Sequence, residues 1–122
     1  YAETPFMQQV HGREYDFNRY TYLGHRRLFR NFEQLAAGGG GTGSALAWSV
    51  KYLLLSFSDS KAMREIWLLI ASYTAFVFKY FDYITNRKQA VLDGASGYYF
   101  LGKKSTSTLS DRDLIKLYKG GF

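Results

Sequence analysis

Leu35-Ala36-Ala37-Gly38-Gly39-Gly40-Gly41-Thr42-Gly43-Ser44-Ala45-Leu46-Ala47-Trp48-Ser49-Val50-Lys51-Tyr52-Leu53-Leu54-Leu55-Ser56-Phe57 is the stretch on which the fold turns. It carries five glycines within residues 38–43. In water each would cost a helix about 1 kcal/mol relative to Ala. In a bilayer small residues let helix backbones approach closely, and the cost is tolerated. Spacings of three and four join Ala36, Gly40, Ser44, Ala47 and Lys51 into one stripe, with Gly39 and Gly43 as a small-xxx-small pair beside it. The pattern predicts a membrane helix over 35–57 with this stripe as its packing face. The alternative is a flexible glycine loop before a shorter helix, residues 44–57, because glycine runs also mark loops.

Residues 65–85 are more uniformly apolar. Ile66 to Phe78 contains no charge, and its apolar positions cover every face of a helical wheel. Such a helix is buried all round or faces lipid. Thirteen residues reach only about 20 Å, so the span needs Lys79 to Ile84 to match a hydrocarbon core of about 30 Å. Lys79 can snorkel to headgroups, Asp82 can pair with it at i,i+3, and Trp67, Tyr80 and Tyr83 fit an aromatic belt. No heptad array is evident.

A short polar turn, residues 58–64, forces the two segments antiparallel. Five basic residues precede the first segment (Arg13, Arg19, Arg26, Arg27, Arg30), seven follow the second, and the turn carries two, Lys61 and Arg64. The bias places both termini on the positive side of the membrane. The fold expected is therefore an all-α membrane protein. It has a polar N-terminal arm (1–34), a transmembrane hairpin of helices 35–57 and 65–85, and a basic tail (86–122) with a short helix.

Composition narrows the function classes. The chain has 122 residues, no cysteine, 19% aromatic residues and a net charge of +6. The absent cysteines exclude disulfides, thiolate metal sites and Cys nucleophiles. The basic excess suits anionic lipid, nucleic acid or acidic protein surfaces. The chain starts Tyr1-Ala2-Glu3 without Met, which suggests removal of an import presequence, or a trimmed chain.

Chemistry-bearing patterns are sparse. Gly38, Gly40 and Gly43 match G-x-G-x-x-G, but a dinucleotide site needs a preceding strand and a βαβ unit, and Asn31 to Gln34 does not read as a buried strand. His11 and His25 lie fourteen residues apart without further ligands in sequence, so no metal or haem site is expected. Lys51 falls on the small-residue face and either snorkels or meets a neighbour's carboxylate. Arg26, Arg30, Arg27, Lys79, Arg87 and Lys88 gather at one interface and are candidates for lipid headgroups such as cardiolipin. In the arm Tyr15, Phe17, Tyr20 and Tyr22 are candidate docking anchors, because exposed aromatics in quantity mark interfaces. Ser110 is a candidate N-cap for a two-turn helix too short to be stable alone. Leu114, Leu117 and Tyr118 on that helix are expected to dock on a partner.

No nucleophile–base pair, metal cluster or paired acid is present, so no enzyme and no cofactor is expected. In layout the chain is similar to the small supernumerary subunits of mitochondrial respiratory complexes or ATP synthase, though no motif carries that likeness. It implies a non-catalytic accessory subunit of an inner-membrane complex, with both termini in the matrix and other subunits as partners. A soluble basic RNA-binding or ribosomal accessory protein is the alternative, since cations interleaved with Tyr and Phe suit single-stranded nucleic acid.

Overall fold

Gly97-Tyr-Tyr-Phe-Leu-Gly-Lys-Lys104 forms the middle strand, β3, of a three-stranded antiparallel sheet. The structure is a computed structural model that describes residues 1–121. Strand β1 (Ala2–Pro5) pairs with β3 on one side and β2 (Phe32–Gly40) on the other. Five helices accompany the sheet: α1 (Tyr22–Leu28), α2 (Thr42–Leu55), α3 (Lys61–Thr85), α4 (Val91–Gly94) and α5 (Asp111–Leu117). The chain is thus mixed α/β, and the all-α membrane hairpin expected from the sequence is overturned.

The glycine run is the point of departure. Ala36, Gly39 and Gly40 lie on β2, so the stripe read along a single helix is cut in two. Gly38 faces Tyr99 and Gly39 faces Tyr98 across the ladder. A Cβ at Gly38 would stand 3.0 Å from the Tyr99 ring, and one at Gly39 would stand 2.8 Å from the Val91 carbonyl oxygen. The strand tolerates glycine because aromatic side chains of β3 cover the bare backbone, a known way of stabilising glycine in sheets. A bulge between Gln34 and Ala36 resets the register. Gly41, at φ 79°, then turns the chain into α2 in a conformation that favours glycine.

Helix α2 has 14 residues, about 21 Å, too short for a bilayer core of about 30 Å. Helix α3 has 25 residues, yet neither it nor any other helix of the described residues is long and apolar enough to cross a membrane. Tyr, Ser72, Thr74, Lys79 and Asp82 dilute its Leu, Ile and Phe. The sequence-based assignments to transmembrane helices, and the matrix-side topology counted from them, lose their basis.

Tyr98 and Phe100 point to one side of β3 and are buried, while Tyr99 and Leu101 are exposed, the period-two alternation of a half-covered strand. Tyr98 joins Tyr22, Val91 and Ala95 in the core, with Phe6 and Tyr118 packed against it. Ring centroids lie 5.6 Å apart for Tyr22–Tyr98 and 5.3 Å for Phe6–Tyr98. Inside this core Tyr98 donates its hydroxyl to the Leu92 carbonyl at 2.7 Å. Ser110 caps α5, accepting from the Asp113 amide at 3.2 Å while Asp113 accepts from the Ser110 amide. Helix α5 does not wait for a partner. It packs on α1 of its own chain and buries Leu114, while the Tyr118 ring lies tilted against Tyr22 at 6.1 Å.

Candidate functional site

Helices α2 and α3 form an antiparallel hairpin that holds most of the exposed apolar surface. Residues 42–44 lie against Phe78, Asp82 and Thr85, while the Phe57 ring sits 6.0 Å from Trp67 at the other end. The two helices meet through small residues. Gly43, Ala45, Ala47 and Ala71 are buried, and a Cβ on Gly43 would collide with the Phe78 carbonyl oxygen. Of the seven packing residues read from the sequence, Gly43, Ser44, Ala47 and Lys51 are on α2, facing α3.

The opposite face of α3 is exposed along its length. Ile66, Leu69, Tyr73, Phe76, Tyr80 and Tyr83 advance by steps of three and four and are all exposed, Tyr73 by 72% and Tyr83 by 80%. Ile70, Val77 and Ile84 flank them and are exposed too. The row runs about 26 Å along the helix. With aromatic side chains of 150–250 Å² each, its exposed area is on the order of 1,000 Å². That exceeds the 300–600 Å² of an ordinary monomer's largest apolar patch and reaches one side of a standard interface. The sequence hid this row because the face towards α2 is also apolar, through Leu68, Ala71, Ala75 and Phe78. The 3–4 spacing of Ile66 to Tyr83 was the signal that could have exposed it.

Beside the row, between the helices, runs a cleft of about 380 Å³ floored by Ala47, Ala71 and Ala75. Lys51 and Lys79 line it from opposite helices. The Lys51 ammonium lies 4.5 Å above the Trp48 ring and 5.7 Å from Tyr52. Lys79 does not pair with Asp82, the pairing read from the sequence. Asp82 turns to α2 instead, where it accepts from the Gly43 amide at 2.7 Å and from the Ser44 hydroxyl at 2.6 Å. Asn86 accepts from the Gly41 amide at 2.9 Å. Strand β2 leads into the glycines and carries Gly38 to Gly40 itself, and its first residues, Phe32 to Leu35, are exposed, so it is not the buried strand a dinucleotide site needs. The sheet is also antiparallel, and a carboxylate of the chain already fills the place a phosphate takes in a dinucleotide site.

The headgroup candidates separate. Arg26 is buried, 2% exposed, with its guanidinium 4.5 Å above Phe100. Arg27 is exposed and pairs with Asp111 at 2.9 Å. Arg30, Lys79, Arg87 and Lys88 are exposed, and lie on several elements rather than at one interface. The docking candidates separate in the same way. Tyr15 and Phe17 are 76% and 81% exposed and Leu117 is 48% exposed, while Tyr20 is half-buried. Tyr22, Leu114 and Tyr118 serve the protein's own packing. His25 is buried beside Arg26 between Phe29 and Tyr98, and its Nε2 has no hydrogen-bond partner among the described residues. Burial first, then the Arg26 charge, lowers its pKa.

No family model, no curated protein and no solved structure matches the chain.

Proposed function

We propose that the chain is a non-catalytic accessory subunit of a larger assembly, docking through the outer face of α3 onto a helix of a neighbouring subunit. The observation that carries this reading is the row from Ile66 to Tyr83, an interface-sized apolar surface at coiled-coil spacing. A 3–4 row presents a seam that a second helix fills with interlocking side chains. Lys79, exposed beside Phe76, Tyr80 and Tyr83, suits an acidic side chain on that partner, where rim charges steer association. A mitochondrial inner-membrane complex is a setting this reading fits, with the chain attached to protein rather than crossing the bilayer. The +6 charge favours anionic phospholipid such as cardiolipin nearby.

The test is native electrophoresis of extracts from cells that carry the tagged chain, wild type or Phe76→Ser/Tyr80→Ser. Wild type is expected to migrate in a large complex and the double variant as free protein. Both side chains are more than half exposed, so the variant keeps its fold, which circular dichroism checks. Identical migration of the two in a large complex would place docking elsewhere. Migration of wild type as free protein would sink the accessory-subunit reading, and a ribonuclease-sensitive particle would favour the RNA-binding one.

A further inference from the structure

Arg26 is a buried cation, and no anion among the described residues pairs with it. Its Nε donates to the Gln34 side-chain oxygen at 2.9 Å and its Nη1 to the Phe29 carbonyl at 3.2 Å. Both acceptors are neutral. Two of its five N–H donors are thereby used, and no carboxylate among the described residues pairs with it. Buried charges are ordinarily paired or bound to a ligand, because taking them from water is costly. The Phe100 face offsets part of that cost but neutralises no charge.

The residue lines a cavity of about 390 Å³ between the end of α1, the start of β2 and the segment after β3. Arg30 lines the same cavity and has no ion-pair partner among the described residues. Ser105 and Ser107 form another wall, their hydroxyls 3.1 Å apart. A hydroxyl pair uses one hydrogen between its members, so a second remains to donate. The acid of the lining, Glu33, is paired with Lys103 at 3.2 Å. Two arginines therefore line the cavity, and no carboxylate among the described residues pairs with either. Phe32 and Leu117 give it an apolar side.

We propose that this cavity binds a phosphate monoester, with the phosphoryl oxygens between Arg26 and Arg30 and the ester body against Phe32 and Leu117. Paired guanidiniums match a group carrying about −1.5 to −2 at neutral pH better than they match a carboxylate. A cavity of this volume is in the range of small-molecule sites and leaves room beyond the phosphoryl group. The site is separate from the α3 face and does not depend on the docking reading.

Calorimetric titration of the full chain at fixed ionic strength tests it, with phenyl phosphate, inorganic phosphate and benzoate as probes. Phenyl phosphate is expected to bind one to one, several-fold tighter than inorganic phosphate and more tightly than benzoate. Arg30→Gln, at an exposed position, is expected to fold normally and to weaken phenyl phosphate about ten-fold or more. Arg26→Lys keeps the charge but loses the fork, and is expected to weaken it as well. No binding of phenyl phosphate at millimolar concentration would overturn the proposal. So would equal affinity for benzoate, or unchanged affinity in Arg30→Gln. Binding of anionic vesicles or RNA without binding of phenyl phosphate would mark diffuse surface electrostatics and would overturn it too.

Discussion

The carboxylate of Asp82, near the end of α3, accepts a hydrogen bond from the Ser44 hydroxyl at 2.6 Å, in the first turn of α2. The Gly43 amide donates to the same carboxylate at 2.7 Å. Helix α2 has no side-chain cap from its own N-cap residue, Gly41, so Asp82, 38 positions beyond Ser44, supplies it. One acid thus satisfies orphan amides, complements the positive end of the helix dipole and fixes where the two helices cross.

Asp82→Ala should therefore lower stability by about 1–3 kcal/mol, the range for losing a cap together with a charged hydrogen bond. In a chain of this size that is a fall in Tm of several degrees per kcal/mol. Asp82→Asn, which retains an acceptor, should cost less. Thermal unfolding followed by circular dichroism measures both. Equal stability of wild type and Asp82→Ala would show that the cap contributes nothing.

Two glycines of the same run make a paired prediction. A Cβ at Gly43 would meet the Phe78 carbonyl oxygen, a backbone atom that cannot swing aside, whereas one at Gly40 would meet nothing within 4 Å. Gly43→Ala should force the helices apart and cost at least the 1–3 kcal/mol typical of overpacking. Gly40→Ala should stay within about 0.5 kcal/mol of wild type. Denaturant unfolding of the two variants side by side checks the contrast.

Part of this architecture was legible in the sequence. Helix α3 follows from a charge-free apolar run, although it begins at Lys61, inside the polar turn read over 58–64. The α5 cap follows from Ser110 with acids in the next turn. The sheet did not show itself, for a physical reason. Residues 36–40 have almost no side chains, so they carry neither helical nor strand periodicity. Their state is decided by Tyr98 and Tyr99, some sixty residues away, which cover them. The strand Gly97–Lys104 was absorbed into a basic tail because Lys103 and Lys104 end it. Arg26 illustrates the same blindness in the candidate sites, since an arginine beside Arg27 reads as surface charge until α1 turns it inward.

His25 gives the chain a pH dependence with a definite sign. Its folded pKa is lowered, mainly by burial and further by Arg26, so near pH 6 the unfolded chain binds more protons than the folded one. Stability is then full above the unfolded value of about 6.5 and falls as pH drops through it. Asp16, Asp93 and Asp113 are also held low, by the Arg19 side chain, the Gly121 amide and the Ser110 hydroxyl in turn. Their contributions are lost only near and below about pH 4. Tm should thus decline between pH 7.5 and 5.5, and His25→Phe should flatten that decline whatever its effect at pH 7.5. A wild-type Tm that is constant across this range would refute the assignment.

Leu114 and Leu117 lie on the same short helix, and the structure gives them opposite work. Leu114 is 3% exposed, buried on the helix that packs against α1, while Leu117 is 48% exposed. An isolated seven-residue helix is unstable in water, so α5 persists because Leu114 anchors it and Ser110 caps it. Leu114→Ala should cost about 2–5 kcal/mol, as buried leucines do, and should expose the C-terminal segment to protease. Leu117→Ala should cost less than about 1 kcal/mol. If α5 instead waited for a partner, the two substitutions would be equally harmless in the isolated chain, and limited proteolysis with chemical denaturation separates these outcomes.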